Sequence, residues 1–363
     1  MDDRLVRIVA RICQSQSLLL MTHARPDGDG LGAMAALAMT ARKAGKRTAL
    51  LAPDKLPDRY AFLFPDAPPA GASDFASLAD AADLIVILDT CAFSQLDGLA
   101  DQLRARRDKI VVLDHHATAD DVGCIQWIDA SAAAAGVLTA ELIEALGWPI
   151  WGPSDENVKK GQTTNYLKKG GQTPFSKSEK GVSPLLDPAT ALATAITSDT
   201  GWLRFANTDS RCLACMGRLL TAGVRTDRLY ARLYQCDRPE RLRLMARMLG
   251  SLELHCDGRL AVMCVRKPDF AVTGALSEET ENLVNEALRI GSVESSILLV
   301  ENGGQVRVSL RSRDVIDVSA IAGGFGGGGH ARASGIRSTL RIDELKARLI
   351  EAFIAEFHAK GIA

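Results

Sequence analysis

The chain has 363 residues and a mass of 38.8 kDa, too long for one ordinary domain and long enough for two with real cores. Its 43 Lys+Arg against 44 Asp+Glu give a formal net charge of −1, which excludes the global basic field expected of a protein that grips a long duplex. The charged segment 1–13 lacks the apolar core of a signal peptide, and no apolar run is long enough to span a bilayer, so the expectation is a cytoplasmic protein without a membrane partner.

Taken in chain order, Ser17 to Thr22 reads as an apolar strand, followed at once by His23, Arg25, Pro26, Asp27, Gly28, Asp29 and Gly30, and then by a helix over 31–44. Pro-Asp-Gly with an N-capping aspartate accounts for part of that junction. It does not account for His23 and the second carboxylate. H-x-x-x-D-x-D also places one nitrogen and two oxygen donors on a tight loop, as neighbouring divalent cations require. Both readings stand at this point. A second strand is expected at 47–51, a Pro-rich connection at 53–73, and a third strand at 83–89 that ends in Asp89. A crossover helix over 95–106 leads to VVLDHH at 111–116, an apolar run closed by Asp114, His115 and His116. Two adjacent imidazoles after an aspartate suit a core poorly, because each carries a polar nitrogen that needs a partner when buried. Three strands thus end in ligand-type residues. Alternation of strands and helices implies a doubly wound parallel sheet whose carboxyl edge carries the chemistry.

Segments 131–146 and 188–197 read as helices, the second running into Asp199, where a carboxylate meets the negative end of the helix dipole and a nearby cation would relieve the conflict. Between them, 151–184 is rich in Lys, Gly, Gln, Thr and Ser without periodicity, and reads as a mobile insertion rather than a lid or basic arm. Helices are expected at 208–222 and 227–249, the latter an Arg-rich linker whose charges form a solvated face or steer phosphate. The C-x-x-C pair Cys212 and Cys215 lies in a helical pattern without further ligands nearby, and the eight cysteines suit a reducing compartment.

From 251 the texture changes to strands at 251–256, 260–266, 293–301 and 305–311, with helices near 277–290 and from 343, a smaller α/β domain. The expected division is 1–225, linker helix 226–250 and 251–363. Gly323 to Gly329 followed by His330 and Arg332 reads either as a flexible linker or as exposed backbone amides beside cations, suited to a phosphate. Val308 to Arg313 adds cations on a strand, with Arg311 expected to face the phosphate.

His23, Asp27, Asp29, Asp89, His115 and Asp199 together offer two imidazoles and four carboxylates. Such a set can hold two cations about 3.5–4 Å apart if one carboxylate bridges. Mixed N/O donors favour Mn²⁺ over Mg²⁺, with Zn²⁺, Co²⁺ or Fe²⁺ as further options.

The motifs HARPDGD, VILDT, VVLDHH and TSDTG, with GGFGGGGH, resemble those of the DHH phosphoesterases and their associated C-terminal domain. The layout is most similar to the branch of bacterial oligoribonucleases that also act as 3′,5′-bisphosphate nucleotide phosphatases. The resemblance implies that His23 and Asp27 bind one metal, Asp29, His115 and Asp199 the other, and that the catalytic Asp89 bridges them. Asp114 would support the ligands and His116 would face the substrate phosphate. Gly327, Gly328, Gly329, His330, Arg332 and Arg311 would hold the phosphate or a terminal nucleotide. The implied activity is two-metal hydrolysis of short single-stranded RNA, dinucleotides or 3′,5′-bisphosphate nucleotides, with a homodimer expected by base rate. A cyclic-dinucleotide phosphodiesterase is the nearest rival. An inorganic pyrophosphatase fits the glycine run poorly, and a longer single-strand exonuclease would need a further domain. A nucleotide-binding protein that kept the fold is the rival outside enzymes.

Overall fold

The computed structural model describes residues 2–96, 98–116, 119–150 and 186–362, so the expected insertion at 151–184 lies outside the described residues. The chain divides into two compact units, Met1–Gln235 and Cys236–Ala363.

The first unit begins with an amphipathic helix α1 (Asp3–Gln14), which buries Leu5, Ile8 and Ile12 at helical spacing, and was not anticipated. Then follow β1 (Ser17–Met21), α2 (Gly28–Lys43), β2 (Arg47–Leu51), α3 (Phe75–Ala81), β3 (Leu84–Leu88), α4 (Ala100–Arg104), β4 (Ile110–Asp114) and β5 (Ile125–Ile128). All five strands are parallel in the order β2-β1-β3-β4-β5. Alternate residues of each strand serve two cores, as a period of two requires. Leu18, Leu20, Val86, Val111 and Leu113 face one core, and Leu19, Met21, Ile85, Ile87 and Val112 face the other. Sheet and helices are therefore doubly wound.

The first core is closed by α1, α2, α5 (Ala135–Ala145), α6 (Pro188–Asp199) and α7 (Ser210–Thr221), and the unit ends with α8 (Thr226–Tyr234). Helices α2 and α6 meet at a glycine. A Cβ on Gly32 would lie 2.5 Å from the Ala191 carbonyl oxygen and 2.7 Å from the Ala195 amide nitrogen. That close approach explains why both helices are rich in small residues.

Several expected elements differ. The crossover helix over 95–106 is only the five residues of α4, preceded by a 3₁₀ turn at Phe93–Gln95. The helix over 227–249 is two helices, α8 and α9 (Pro239–Gly250), because Pro239 can start a helix but not continue one. The Arg-rich linker is largely laced by ion pairs, Arg238 with Glu240, Arg241 with Asp237 and Arg247 with Asp269.

The second unit continues with β6 (Glu253–His255), β7 (Leu260–Val265), α10 (Lys267–Thr273), β8 (Ser295–Asn302), β9 (Gln305–Ser312), α11 (Val318–Gly324), β10 (Gly328–His330), β11 (Ala333–Ser338) and α12 (Ile342–Ala359). Its six strands run in the order β10-β11-β9-β8-β7-β6, antiparallel except for β7 with β8. The helix expected at 277–290 is two 3₁₀ segments, broken where Asn282 adopts a left-handed φ of 63°. The glycine run is no linker. Gly323 and Gly324 finish α11, and Gly328 and Gly329 enter β10.

Candidate metal centre

In a 2-1-3-4-5 parallel sheet the chain leaves β1 and β3 in opposite directions, opening a crevice at their carboxyl ends. The ligand-type residues stand there. His23, Asp27 and Asp29 follow β1, Asp89 follows β3, and His115 and His116 follow β4. Asp89 has φ of 65°, a left-handed conformation that a non-glycine residue adopts at a cost, and its amide donates to the Leu113 carbonyl.

Asp27 is the N-cap of α2 and accepts from the amides of Asp29 at 3.0 Å and Gly30 at 3.3 Å. The capping reading of this loop is thus correct without excluding the other. A Cβ on Gly28 would lie 1.9 Å from Ser198 Oγ, and one on Gly30 would lie 2.0 Å from Thr22 Oγ1. Both glycines let the first turn of α2 press against α6 and β1, which brings Asp29 into the crevice.

His23 Nε2 lies 3.4 Å from Asp89 Oδ2 and 3.7 Å from Asp27 Oδ1. His115 Nε2 lies 3.4 Å from Asp89 Oδ1, 3.6 Å from Asp29 Oδ2 and 3.8 Å from Asp199 Oδ2. The donor atoms of His23, Asp27 and Asp89 lie within 4.8 Å of one another, as do those of Asp29, His115 and Asp199. Asp89 stands between the two groups, one oxygen toward each imidazole. Both imidazoles hold Nδ1 against a backbone carbonyl, His23 with Ala24 at 2.7 Å and His115 with Ala132 at 3.2 Å, which leaves each Nε2 to the carboxylates. Asp89 Oδ1 and His115 Nε2 are buried without a hydrogen-bond partner. Orphaned donor atoms on a mixed N/O set fit divalent cations.

The electrostatics follow from four carboxylates around two imidazoles. Burial opposes the charge on His23, but Asp27 and Asp89 outweigh it and push this imidazole up to about 11. Burial likewise opposes the charge on His115, and Asp89 and Asp29 push it up to about 10. Burial raises the Asp199 carboxyl to about 6, with His115 opposing and Asp89 adding. Burial, then Asp89 and Asp199, also hold the Asp29 carboxyl well above the usual range.

Asp114, fully buried at the end of β4, accepts at Oδ1 from the amides of His115 and His116 and from His116 Nδ1 at 2.7 Å. That bond raises the His116 pKa and leaves its other nitrogen to the crevice.

Two supports were not read from the sequence. Asp29 accepts from the amides of Ala135 at 2.6 Å and Gly136 at 2.8 Å, capping α5, whose own N-cap Ala134 has no side chain for the task. The signal was there in SAAAAG, a helix start without a local cap. Asn207 Nδ2 donates to the Ala133 carbonyl at 3.0 Å and approaches Asp199 Oδ2 at 3.4 Å, tying the two helices beside the cluster. No spacing rule marks it, because a left-handed turn at 201–203 carries the chain back.

In the second unit Arg311 is half-buried on β9, its guanidinium donating to the Leu310 carbonyl, and burial lowers its pKa. His330 is exposed on β10. Arg332 is engaged by Asp314 and the Ile316 carbonyl rather than free. Gly327 and Gly329 are needed by the strands themselves, since a Cβ would lie 2.3 Å from the Gly335 carbonyl oxygen or 2.5 Å from that of Ala333. Gly328 has open space above it.

A sequence model described as the DHH family, N-terminal domain, matches residues 17–168, and one described as the DHHA1 domain matches 267–359. The chain belongs to the DHH family. That family is metal-dependent, and the chain is a hydrolytic phosphoesterase. Among its DHH relatives are proteins named bifunctional oligoribonuclease and PAP phosphatase NrnA. The Thermus thermophilus protein is 27% identical, covering 98% of this chain and 95% of that one. The Bacillus subtilis protein is 23% identical, covering 90% and 91%. An exopolyphosphatase-related protein from Bacteroides fragilis shares the fold, with a TM-score of 0.81 at 21% identity over 99% of this chain and 97% of that one. Among the described residues, no helix is long and apolar enough to cross a membrane.

Proposed function

We propose that this chain cleaves phosphoester bonds of short oligoribonucleotides to nucleoside 5′-monophosphates and dephosphorylates 3′-phosphoadenosine 5′-phosphate to AMP. The observation that carries the reading is Asp89, whose two oxygens each lie 3.4 Å from a different imidazole, the disposition of a carboxylate shared by two cations. The names of the full-length relatives support the substrate class.

His23, Asp27 and Asp89 would hold one cation and Asp29, His115, Asp199 and Asp89 the other, with Mn²⁺ the ion that best suits the mixed donors. Bound divalent cations supply Lewis acidity toward a phosphoryl oxygen and make hydroxide available near neutral pH. The chain's own residues do the rest. Asp114 accepts from His116 Nδ1 and favours the protonated imidazolium, so that Nε2–H can donate to a phosphoryl oxygen as negative charge builds. Asn207 and the capped α5 keep Asp199 and Asp29 from swinging out of the crevice. Arg311, His330 and the open backbone at Gly328 would bind a phosphate and orient the substrate without entering the bond-breaking step.

The test is a panel assayed with the purified full chain and Mn²⁺: the 5′-phosphorylated dinucleotide pApA, adenosine 3′,5′-bisphosphate and a cyclic dinucleotide. The first two should be hydrolysed, and excess chelator should stop both. A kcat/KM highest for the cyclic compound would move the reading to a cyclic-dinucleotide phosphodiesterase. Binding without turnover on all three would leave a nucleotide-binding protein.

A further inference from the structure

Strand register in the second unit sorts its cations. Residues directly opposite in an antiparallel ladder share a face. Arg311 is opposite Ala333, Ser309 opposite Gly335 and Arg307 opposite Arg337, while on the next strand His330 is opposite Ala333 and Gly328 opposite Gly335. One face of β9, β11 and β10 therefore carries three rows: Arg311 with Ala333 and His330, then Ser309 with Gly335 and Gly328, then Arg307 with Arg337.

Toward β8 the same face is covered. Leu298 and Val300, opposite Ser309 and Arg307, are buried in a core with residues of α9 and the 3₁₀ segment Leu283–Arg289. Beyond β9 the cover ends, and Gly328, His330, Gly335 and Arg337 are exposed.

Among the described residues, the charges on this face are not neutralised by carboxylate neighbours, in contrast to several arginines elsewhere in the unit. Arg238, Arg247, Arg266, Arg332 and Arg348 all pair with carboxylates. Arg307, Arg311 and Arg337 have no carboxylate partner among the described residues. Arg307 donates to Thr280 Oγ1 and keeps a buried Nε without a hydrogen-bond partner. The row between the cations is flat for no internal reason. A Cβ on Gly328 would meet nothing within 4 Å, and one on Gly335 only the Val308 carbonyl oxygen at 3.5 Å. Arginines without a carboxylate partner at both ends of a strip of small residues suit an anion at each end.

We propose that Arg307 and Arg337 form a second phosphate subsite, which holds a backbone phosphate of an oligonucleotide whose terminal phosphate is at Arg311 and His330, and so favours three-residue substrates over shorter ones. The four residues from Arg311 to Arg307 span about 13 Å at the usual strand rise, more than one internucleotide step and within reach of two. Ser309, Gly335 and Gly328 leave room for the sugar and base between. This rests on the oligonucleotide reading above.

The experiment measures kcat and KM of the full chain with Mn²⁺ on adenosine 3′,5′-bisphosphate, pApA and pApApA, for wild type, Arg337→Gln, Arg307→Gln and Arg337→Lys. Arg337 is exposed, so its variants test the subsite without disturbing a core. In Arg337→Gln, kcat/KM for pApApA relative to the bisphosphate should fall about tenfold, the scale of one charge-assisted hydrogen bond, through KM rather than kcat. Arg337→Lys should restore much of it. The slope of log KM for pApApA against log salt should shrink by about 0.7, the value for one backbone phosphate no longer neutralised. An unchanged ratio in both glutamine variants, or an equal loss on all three substrates, overturns the second subsite. Failure of the wild type to hydrolyse any of the three overturns the oligonucleotide reading instead.

Discussion

In the first unit four carboxylates and two imidazoles converge on buried strand ends, whereas the second unit spreads three arginines and a histidine over an open sheet face. The first arrangement is rigid. Four of its six ligand-type side chains are held by backbone partners, His23 by Ala24, His115 by Ala132, Asp27 by the amides of Asp29 and Gly30, and Asp29 by two amides of α5, while Asn207 approaches Asp199. The second relies on long side chains over glycine, and register alone sets their spacing. The difference teaches that a cation centre needs donors placed to within tenths of an ångström, while a phosphate track needs only charge and clearance. Substitutions in the first unit should therefore change turnover, and those in the second should change KM.

The largest expected effect is Asp89→Asn, which keeps the volume and removes the charge shared between the imidazoles. Turnover should fall by about 10³-fold or more, the scale of losing a principal electrostatic group. Retention of most of the wild-type kcat would sink the shared-carboxylate role. His330→Ala comes next. It should raise KM by about tenfold with kcat nearly kept, as expected when a charge-assisted hydrogen bond to substrate is removed. A fall in kcat at constant KM would transfer His330 to the chemistry and erase the contrast between the units.

Gly32→Ala tests the scaffold under the centre. Its methyl would meet backbone atoms of α6 at 2.5 and 2.7 Å, an overpacking that costs about 1–3 kcal/mol. Thermal unfolding should show a lower Tm. An unchanged Tm would mean that α2 and α6 can slide apart freely.

The smallest effect is in pH. The folded pKa values of His23 (about 11) and His115 (about 10) lie above the ordinary 6.5, so the folded chain without metal binds more protons than the unfolded one between 6.5 and those values. Their stabilisation is complete below 6.5 and is lost as pH rises through the folded values. With chelator present, Tm at pH 9 should be lower than at pH 6.5. Mn²⁺ must displace those protons, so the Tm gain it produces should be larger at pH 9. A chelated protein that is more stable at pH 9 would contradict the clustering of imidazoles with carboxylates.

Much of the centre was legible because its signals are local. An apolar run of about five residues that stops at Asp89 or at Asp114-His115-His116 reports both a buried strand and the edge where it ends. The loop His23 to Asp29 was readable for the same reason, although its aspartates serve both as caps and as cluster members. Helix type was less legible. At 277–290 the pattern is apolar enough for a helix, yet Asn282 turns left-handed and leaves two 3₁₀ segments. Helix α1 and strand β5 were missed because short or charged segments become ordered only against a neighbour.

By itself, the amino-acid order determined the alternating strands and helices, the acidic and imidazole residues at strand ends, and the glycine-histidine segment near the C-terminus, since each depends on neighbours along the chain. Only the tertiary structure decided that Asp29 caps a helix 106 residues away, that Asn207 braces Asp199, and that Arg307 and Arg337 share a face with Arg311 and His330. Those depend on helix packing and strand register, where a shift of one residue would turn every side chain of a strand to the opposite face.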